Sequence, residues 1–188
     1  MSECKNVTIG VLAHVDAGKT TITEQLLHKS GATKNLGSVD KGSAITDGLL
    51  MEKNRGISIK TSAVNFTFNN INFQLVDTPG HIDFTAEVDR SLSILDAVIL
   101  VISAKEGVQA HTLNIWESIK ERKLPVLVFF NKIDRDGVDI ESVFKEFQKD
   151  LNTKLFAINI PEISNQEEIK LIDFKGANQL NDTTIFDH

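Results

Sequence analysis

The segment from Ala13 to Thr20 combines the residue types that bind a polyphosphate. Its sequence, AHVDAGKT, follows an apolar run and precedes a helical pattern. It matches the phosphate-loop pattern G-x-x-x-x-G-K-S/T, except that Ala13 takes the first glycine position. Backbone N–H groups from about Asp16 to Thr20 can surround a phosphate at the positive end of a helix dipole. The Lys19 ammonium can neutralise the outer phosphates, and the Thr20 hydroxyl is a suitable Mg²⁺ ligand.

A second candidate is the run VDTPG, which ends at Gly80 and follows an apolar strand. The Asp77 carboxylate can hold Mg²⁺ through water, and the Gly80 N–H can donate to a terminal phosphate. Asp-x-x-Gly also forms ordinary turns. Its place after a strand, downstream of Lys19, favours the functional interpretation.

The third candidate is NKID, residues Asn131 to Asp134, which follows another apolar strand. The Asp134 carboxylate can accept two hydrogen bonds from guanine but finds no matching donors on adenine, and a buried polar mismatch discriminates strongly. The Lys132 stem can cover the base plane. We predict that Ser103-Ala104-Lys105, which precedes NKID, is a structural turn without base contact.

Apolar runs alternate with helical patterns along the chain, which predicts the elements that must position these loops. Continuous apolar strands among amphipathic helices predict an α/β fold whose mostly parallel central sheet has helices on both faces. The carboxyl ends of such strands bind ligands. The predicted strands are Val7–Ala13, residues 64–68, Ile71–Val76, Ala97–Ile102, Leu124–Phe130 and Leu155–Ile160, with a hairpin turn at Asn69-Asn70; the predicted helices are Thr20–Lys29, Phe84–Leu95, Thr112–Lys120 and Val138–Leu151.

Composition narrows the class of protein. The chain has 188 residues, of which 41% are hydrophobic and 24% charged, with a formal net charge of −6. This balance excludes general disorder and argues against binding nucleic acid through bulk charge. The single cysteine, Cys4, excludes an intramolecular disulfide and a cysteine-based zinc site.

Localisation and partners are expectations at this point. No secretory signal is visible, and the longest apolar runs are far shorter than the ~20 residues that cross a bilayer. We therefore expect a cytoplasmic, monomeric protein with no membrane partner and no sequence-specific nucleic-acid partner.

Four motifs together resemble the GTP-binding domain of a translational GTPase. They are AHVDAGKT, RGISI, DTPGHIDF and NKID, which begin at Ala13, Arg55, Asp77 and Asn131. Elongation factor G is the broad match. Residues 36–42, 103–110 and 131–137 resemble the ribosomal protection proteins of tetracycline resistance more closely.

The resemblance implies a phosphate-loop NTPase (G-domain) fold that binds GTP or GDP with Mg²⁺ and hydrolyses GTP slowly until the ribosome stimulates it. It implies that His81 orients the attacking water and that residues 31–59 and the segment from Asp77 are nucleotide-dependent switches. Ser58 stands where the family usually has threonine and keeps the hydroxyl for Mg²⁺, and Asp16 resembles a residue that helps hold a monovalent cation. The implied GTP-binding residues are Asp16, Ala17, Gly18, Lys19, Thr20, Thr21, Gly80, Asn131, Lys132 and Asp134; the implied metal ligands are Thr20, Ser58 and Asp77.

The resemblance weakens towards the end of the chain. We expect a G domain over residues 1–160 and part of an inserted subdomain, or a tail, over residues 161–188. No Ser-Ala loop, last strand or last helix of the family is recognisable, so we expect a truncated G domain. Two other functions stay open: a guanine-nucleotide switch or ribosome-docking module with negligible hydrolysis, and an ATPase of the phosphate-loop class.

Overall fold

A computed structural model describes residues 5–33, 62–77, 91–155, 157–164 and 168–173. Ser58, Gly80 and His81 lie outside these ranges, as do most of the two expected switches and most of the helix predicted over Phe84–Leu95. The elements in chain order are β1 (Lys5–Ala13), α1 (Lys19–Lys29), β2 (Ser62–Phe68), β3 (Ile71–Asp77), β4 (Ala97–Ser103), α2 (Ala110–Glu121), β5 (Val126–Asn131), α3 (Ile140–Asp150), β6 (Asn159–Ser164) and β7 (Glu168–Asp173).

The central sheet has five strands in the order β2-β3-β1-β4-β5. β1 is parallel to β3 and β4, and β4 is parallel to β5. The edge strand β2 runs antiparallel to its neighbour β3. Asn69 and Asn70, with φ of 47° and 61°, join β2 to β3 by a turn with two left-handed residues, which matches the twist of a hairpin. The mostly parallel α/β sheet and this hairpin confirm the predictions.

Alternating side chains of β1 and β4 build two cores, one on each face of the sheet. Val11 and Val101 pack with Leu27 of α1 on one face. Leu12 and Leu100 pack on the other face with apolar residues of α2 and α3, among them Trp116, Ile119 and Phe147. Successive strand residues point to opposite faces, so each continuous apolar strand serves both cores. The prediction of helices on both faces is confirmed.

The strand predicted over Leu155–Ile160 is wrong in its bounds. The observed strand β6 begins at Asn159 and pairs antiparallel with β7 in a separate two-stranded sheet. Leu155 is apolar because it packs against the core, and not because its backbone joins a sheet. A short apolar run signals burial without specifying strand pairing. The domain division at residue 160 stays a prediction.

Local hydrogen bonds fix where the helices begin and end. The Asp139 carboxylate caps α3 by accepting from the N–H groups of Glu141 and Ser142. At the end of α2, Lys123 N–H donates to Lys120 O at 3.0 Å and Leu124 N–H donates to Ile119 O at 3.3 Å.

Among the helices that the structure describes, none has the length and apolar character needed to cross a membrane.

Candidate functional site

The ends of four neighbouring strands meet at one edge of the sheet. In the parallel registers, Val11 pairs with Asp77, Ala13 with Val101, and Ser103 with Asn131. The loops that follow β1, β4 and β5 therefore leave the sheet on the same side, beside Asp77 at the end of β3. This convergence is the arrangement that the sequence predicted for its candidate motifs.

The turn between β1 and α1 presents backbone N–H groups at the start of a helix. Asp16 and Gly18 have left-handed φ values of 62° and 92°. Left-handed residues within a turn bring successive N–H groups towards one concavity, which favours an anion. Gly18 is the N-cap of α1, and no side chain caps this helix start within the described part of the chain. The positive end of the α1 dipole is thus left for a ligand.

A buried ion pair between Lys19 and Asp77 lies beside this turn. The two side chains are 7% and 2% exposed, and the Lys19 ammonium donates to the Asp77 carboxylate. Each charge compensates the desolvation of the other. A phosphate at Lys19 and a divalent cation at Asp77 would replace this pair with two pairs of opposite charge. The site can therefore take up both ligands without leaving a buried charge unpaired.

The donor set suits magnesium. Thr20 follows Lys19 in the first turn of α1 and is half-buried, while Asp77 is buried at the end of β3. A hydroxyl and a carboxylate are the hard oxygen ligands that Mg²⁺ prefers, and Mg²⁺ is held by few protein ligands beside phosphate oxygens. The described residues of the predicted metal site fit this ion.

Asn131 joins the loop after β5 to the turn between β1 and α1. Its side-chain Nδ2 donates to Ala17 O at 2.8 Å. A Cβ placed on Gly18 would lie 2.2 Å from the same Nδ2, closer than any real contact. Glycine at position 18 is thus required both by its positive φ and by the approach of Asn131.

Lys132 and Asp134 are further residues of the predicted base-reading loop. Lys132 has a left-handed φ of 59°, an uncommon conformation for a non-glycine residue. Asp134 is exposed and its Oδ2 lies 3.9 Å from Arg135 Nε.

Of the residues predicted to bind phosphate, Asp16 and Thr21 are exposed and Ala17 is buried.

Ser103-Ala104-Lys105 forms the turn that the sequence predicted. The N–H groups of Glu106 and Gly107 both donate to Ser103 O, at 3.2 and 2.9 Å. Ala104 N–H donates to Asn131 O at 2.8 Å, so the turn is attached to the loop after β5.

The sequence analysis missed Glu106. Its carboxylate lies between Lys132, with Nζ–Oε1 of 3.3 Å, and His14, with Nε2–Oε2 of 3.4 Å. The only signal in the sequence was an acidic residue shortly after a strand that ends at the ligand-binding edge.

Burial and charge shift two pKa values here. The pKa of His14 lies below its ordinary value of 6.5, because burial disfavours the imidazolium more than the Glu106 carboxylate favours it. The pKa of Glu106 lies below its ordinary value of 4.5. Partial burial opposes that shift, but the nearby Ser103 hydroxyl and Lys132 ammonium outweigh it.

Comparisons with known proteins agree with this geometry. The family model described as the elongation factor Tu GTP binding domain matches residues 5–187. The tetracycline resistance protein TetP of Clostridium perfringens is 49% identical over 151 residues, which cover 80% of this chain and 23% of TetP. TetM of Ureaplasma urealyticum is 50% identical over 151 residues, covering 80% of this chain and 24% of TetM.

A solved structure from Thermus thermophilus has a similar fold. It superposes with a TM-score of 0.83 and 30% sequence identity, covering 89% of this chain and 25% of that chain. The chain thus spans about a quarter of the length of the relatives it matches.

Proposed function

The chain belongs to the family of elongation factor Tu GTP-binding domains, and we propose that it binds GTP and GDP with Mg²⁺ and hydrolyses GTP to GDP and phosphate. The observation that carries the proposal is the meeting of separate loops at one sheet edge. Lys19 contacts Asp77, and Asn131 contacts Ala17, although these partners are far apart in the chain.

The phosphates are held by the turn between β1 and α1. The N–H groups of residues 16–20 and the α1 dipole favour the negative charge, and Lys19 exchanges its Asp77 partner for phosphate oxygens. Thr20, Asp77 and Ser58 hold Mg²⁺, which when bound supplies positive charge next to the phosphate oxygens. Asp16 contributes to a monovalent cation site.

The base is held by the loop after β5. Asp134 accepts from the ring N–H and the amine of guanine, and the Lys132 stem covers the base plane. Asn131 stabilises the loop through its hydrogen bond to Ala17 O. The exposure of Asp134 leaves its carboxylate accessible to a nucleotide.

Hydrolysis requires a water in line with the terminal phosphate. We propose that His81 orients this water and that the Gly80 N–H donates a hydrogen bond to the terminal phosphate. Since positioning and charge neutralisation supply most of the catalysis in phosphoryl transfer, we expect slow turnover by the chain alone.

The longer protein is a ribosome-associated factor in this proposal. The names of TetP and TetM, which are about 50% identical to the chain, state tetracycline resistance. We infer that the parent of this chain is a ribosomal protection protein and that the ribosome stimulates its GTPase. Monomeric state, absence of a membrane partner and cytoplasmic location stay predictions.

A guanine-nucleotide switch with negligible hydrolysis is less well supported, because the matching family model is the GTP binding domain of an elongation factor and the chain is similar to TetP and TetM. The ATPase hypothesis lacks support for the same reason.

The test is titration of fluorescent GDP and GTP onto the chain, with ATP as the competing nucleotide and with or without Mg²⁺. We expect guanine-specific binding that Lys19→Ala abolishes. Lys105→Ala, which removes an exposed lysine in the turn after β4, serves as the charge-matched control for Lys19→Ala.

His81→Ala should keep nucleotide affinity and lower the rate of phosphate release, measured with ribosomes and the full-length parent. Absence of guanine-specific binding would refute the proposal, and equal loss of binding in the Lys19 and His81 variants would refute the role of His81.

A further inference from the structure

The turn after β4 has a feature that the nucleotide-binding motifs do not explain. Its Glu106 carboxylate contacts both loops that would hold a nucleotide. Oε1 lies 3.3 Å from Lys132 Nζ in the base-reading loop, and Oε2 lies 3.4 Å from His14 Nε2 in the phosphate-binding turn. The carboxylate thus pairs with Lys132 and lies close to the imidazole of His14, which is distant from Lys132 in the chain.

The backbone of Glu106 is held in place. Its N–H donates to Ser103 O, and its own carbonyl oxygen accepts from Gln109 Nε2 at the start of α2. Gly107, at a φ of 66°, completes the tight turn. Because Ala104 N–H donates to Asn131 O, the turn and the base-reading loop are also joined through the backbone. Glu106 is thus presented on a fixed support.

Lys132 needs such a support. It directly follows β5 with a left-handed φ of 59°, and its side chain is 25% exposed. A lysine side chain that is held in one conformation loses more rotamer freedom than most residues. If the ammonium is already held in the free protein, part of this conformational entropy is lost on folding, and less of it is lost when the nucleotide binds.

We propose that Glu106 is a positioning residue for guanine-nucleotide binding, which holds the Lys132 stem over the base through the ion pair between its carboxylate and the Lys132 ammonium. This inference rests on the proposed function. Glu106 acts through Lys132 and does not itself touch the nucleotide. It gives a role to the turn after β4, whose Ser-Ala-Lys sequence is predicted to make no base contact.

Glu106→Gln tests the proposal, because it keeps the size of the side chain and removes its charge. Glu141→Gln is the matched control: Glu141 is a partly exposed glutamate on α3 that pairs with Lys145 at 2.5 Å. The dissociation constants of GDP and GTP are measured by titration at low and high salt, and thermal unfolding checks that the variants fold.

We expect Glu106→Gln to raise the dissociation constants of GDP and GTP by the same factor, about two- to fivefold, as for a partly exposed ion pair. The factors are equal because the base loop and the phosphate turn hold both nucleotides alike. The difference from wild type should shrink at high salt, which screens such pairs. Glu141→Gln should bind like wild type. Unchanged affinity in Glu106→Gln would overturn the inference.

A double-mutant cycle separates positioning from a general structural role. In a Lys132→Ala background, Glu106→Gln should cause little further loss, because the residue it holds is gone. A full, independent loss in that background would overturn the proposal. Glu106→Asp keeps the charge and should lose less affinity than Glu106→Gln, whereas the reverse order would contradict a charge-based role.

Failure of this inference is distinct from failure of the proposed function. If wild type binds no guanine nucleotide, both fail. If wild type binds and the Glu106 variants bind equally well, only the positioning role fails.

Discussion

At the scale of single residues, the site depends on a backbone contact that only glycine permits. Gly18 has a φ of 92°, and a Cβ there would lie 2.2 Å from Asn131 Nδ2. Asn131 cannot withdraw without losing its 2.8 Å hydrogen bond to Ala17 O. Two loops that are 114 positions apart in the chain therefore fit together because one of them lacks a side chain at this position.

We predict that Gly18→Ala weakens GDP binding at least tenfold, about 1.4 kcal/mol, because the added Cβ displaces Asn131 and disfavours the left-handed conformation that orients the N–H groups of this turn. Nucleotide titration measures the loss. Gly137→Ala is the control, because Gly137 has a similar φ of 80° but no atom within 4 Å of its Cβ position. The control should be less stable than wild type yet bind nucleotide normally. Equal binding loss in both variants would argue against the contact.

At the scale of elements, α1, α2 and α3 end in the same hydrogen-bond pattern, in which a left-handed residue follows the C-cap. These residues are Gly31, Lys123 and Asn152, with φ values of 77°, 54° and 45°. The N–H of each donates to the carbonyl oxygen of the residue three positions before it. The N–H of the following residue donates to the carbonyl oxygen five positions before that residue. This is the Schellman motif, in which glycine is the preferred left-handed residue. Lys123 thus occupies a position that suits glycine better.

Lys123→Gly should raise the free energy of unfolding by about 0.5–1 kcal/mol, because it removes the Cβ strain of a left-handed residue. Urea denaturation followed by circular dichroism measures the change. The control is Glu117→Gly at an exposed position inside α2, which should lower stability by about 1 kcal/mol, the cost of glycine in a helix interior. Loss of stability in Lys123→Gly would show that its side chain contributes more than the backbone strain costs.

At the scale of the whole molecule, the stability of the fold is linked to pH through His14. Its side chain is 8% exposed at the edge where the strands end, and burial lowers its pKa below 6.5. The charged or polar groups facing it are Glu106, Lys132, Asp16 and the Val15 backbone. The unfolded chain therefore takes up a proton at a higher pH than the folded chain does. The stability contributed by neutral His14 is complete above about pH 6.5 and is lost as pH falls through the lower pKa of the folded state.

We expect the unfolding free energy of wild type to fall between pH 7.5 and pH 5.5, and His14→Asn to lose less over this range. Urea denaturation at several pH values measures both. His28→Asn, which changes an exposed histidine near the end of α1, should keep the wild-type slope. If His14→Asn keeps the wild-type slope as well, His14 does not account for the pH dependence.

Much of the fold could be predicted because its signals are local. Continuous apolar runs gave β1, β4 and β5, and the Asn69-Asn70 turn between alternating residues gave the hairpin of β2 and β3. The exact ends could not be predicted, since they depend on contacts elsewhere. Leu155 is apolar because it packs on the core, and the sequence analysis interpreted it as part of a strand.

The sequence by itself determined which chemical groups are available and in what order they occur: Lys19 in a turn predicted to bind phosphate, an acid at Asp77, and Asp134 in a loop predicted to read the base. These follow from short motifs and from the period of apolar residues. Only the tertiary structure decided which groups touch. The contacts of Asn131 with Ala17, Lys19 with Asp77, and Glu106 with His14 and Lys132 join residues that are distant in the chain. Their meeting depends on parallel strand order and register, which bring separate strand ends to one edge and which no local pattern specifies.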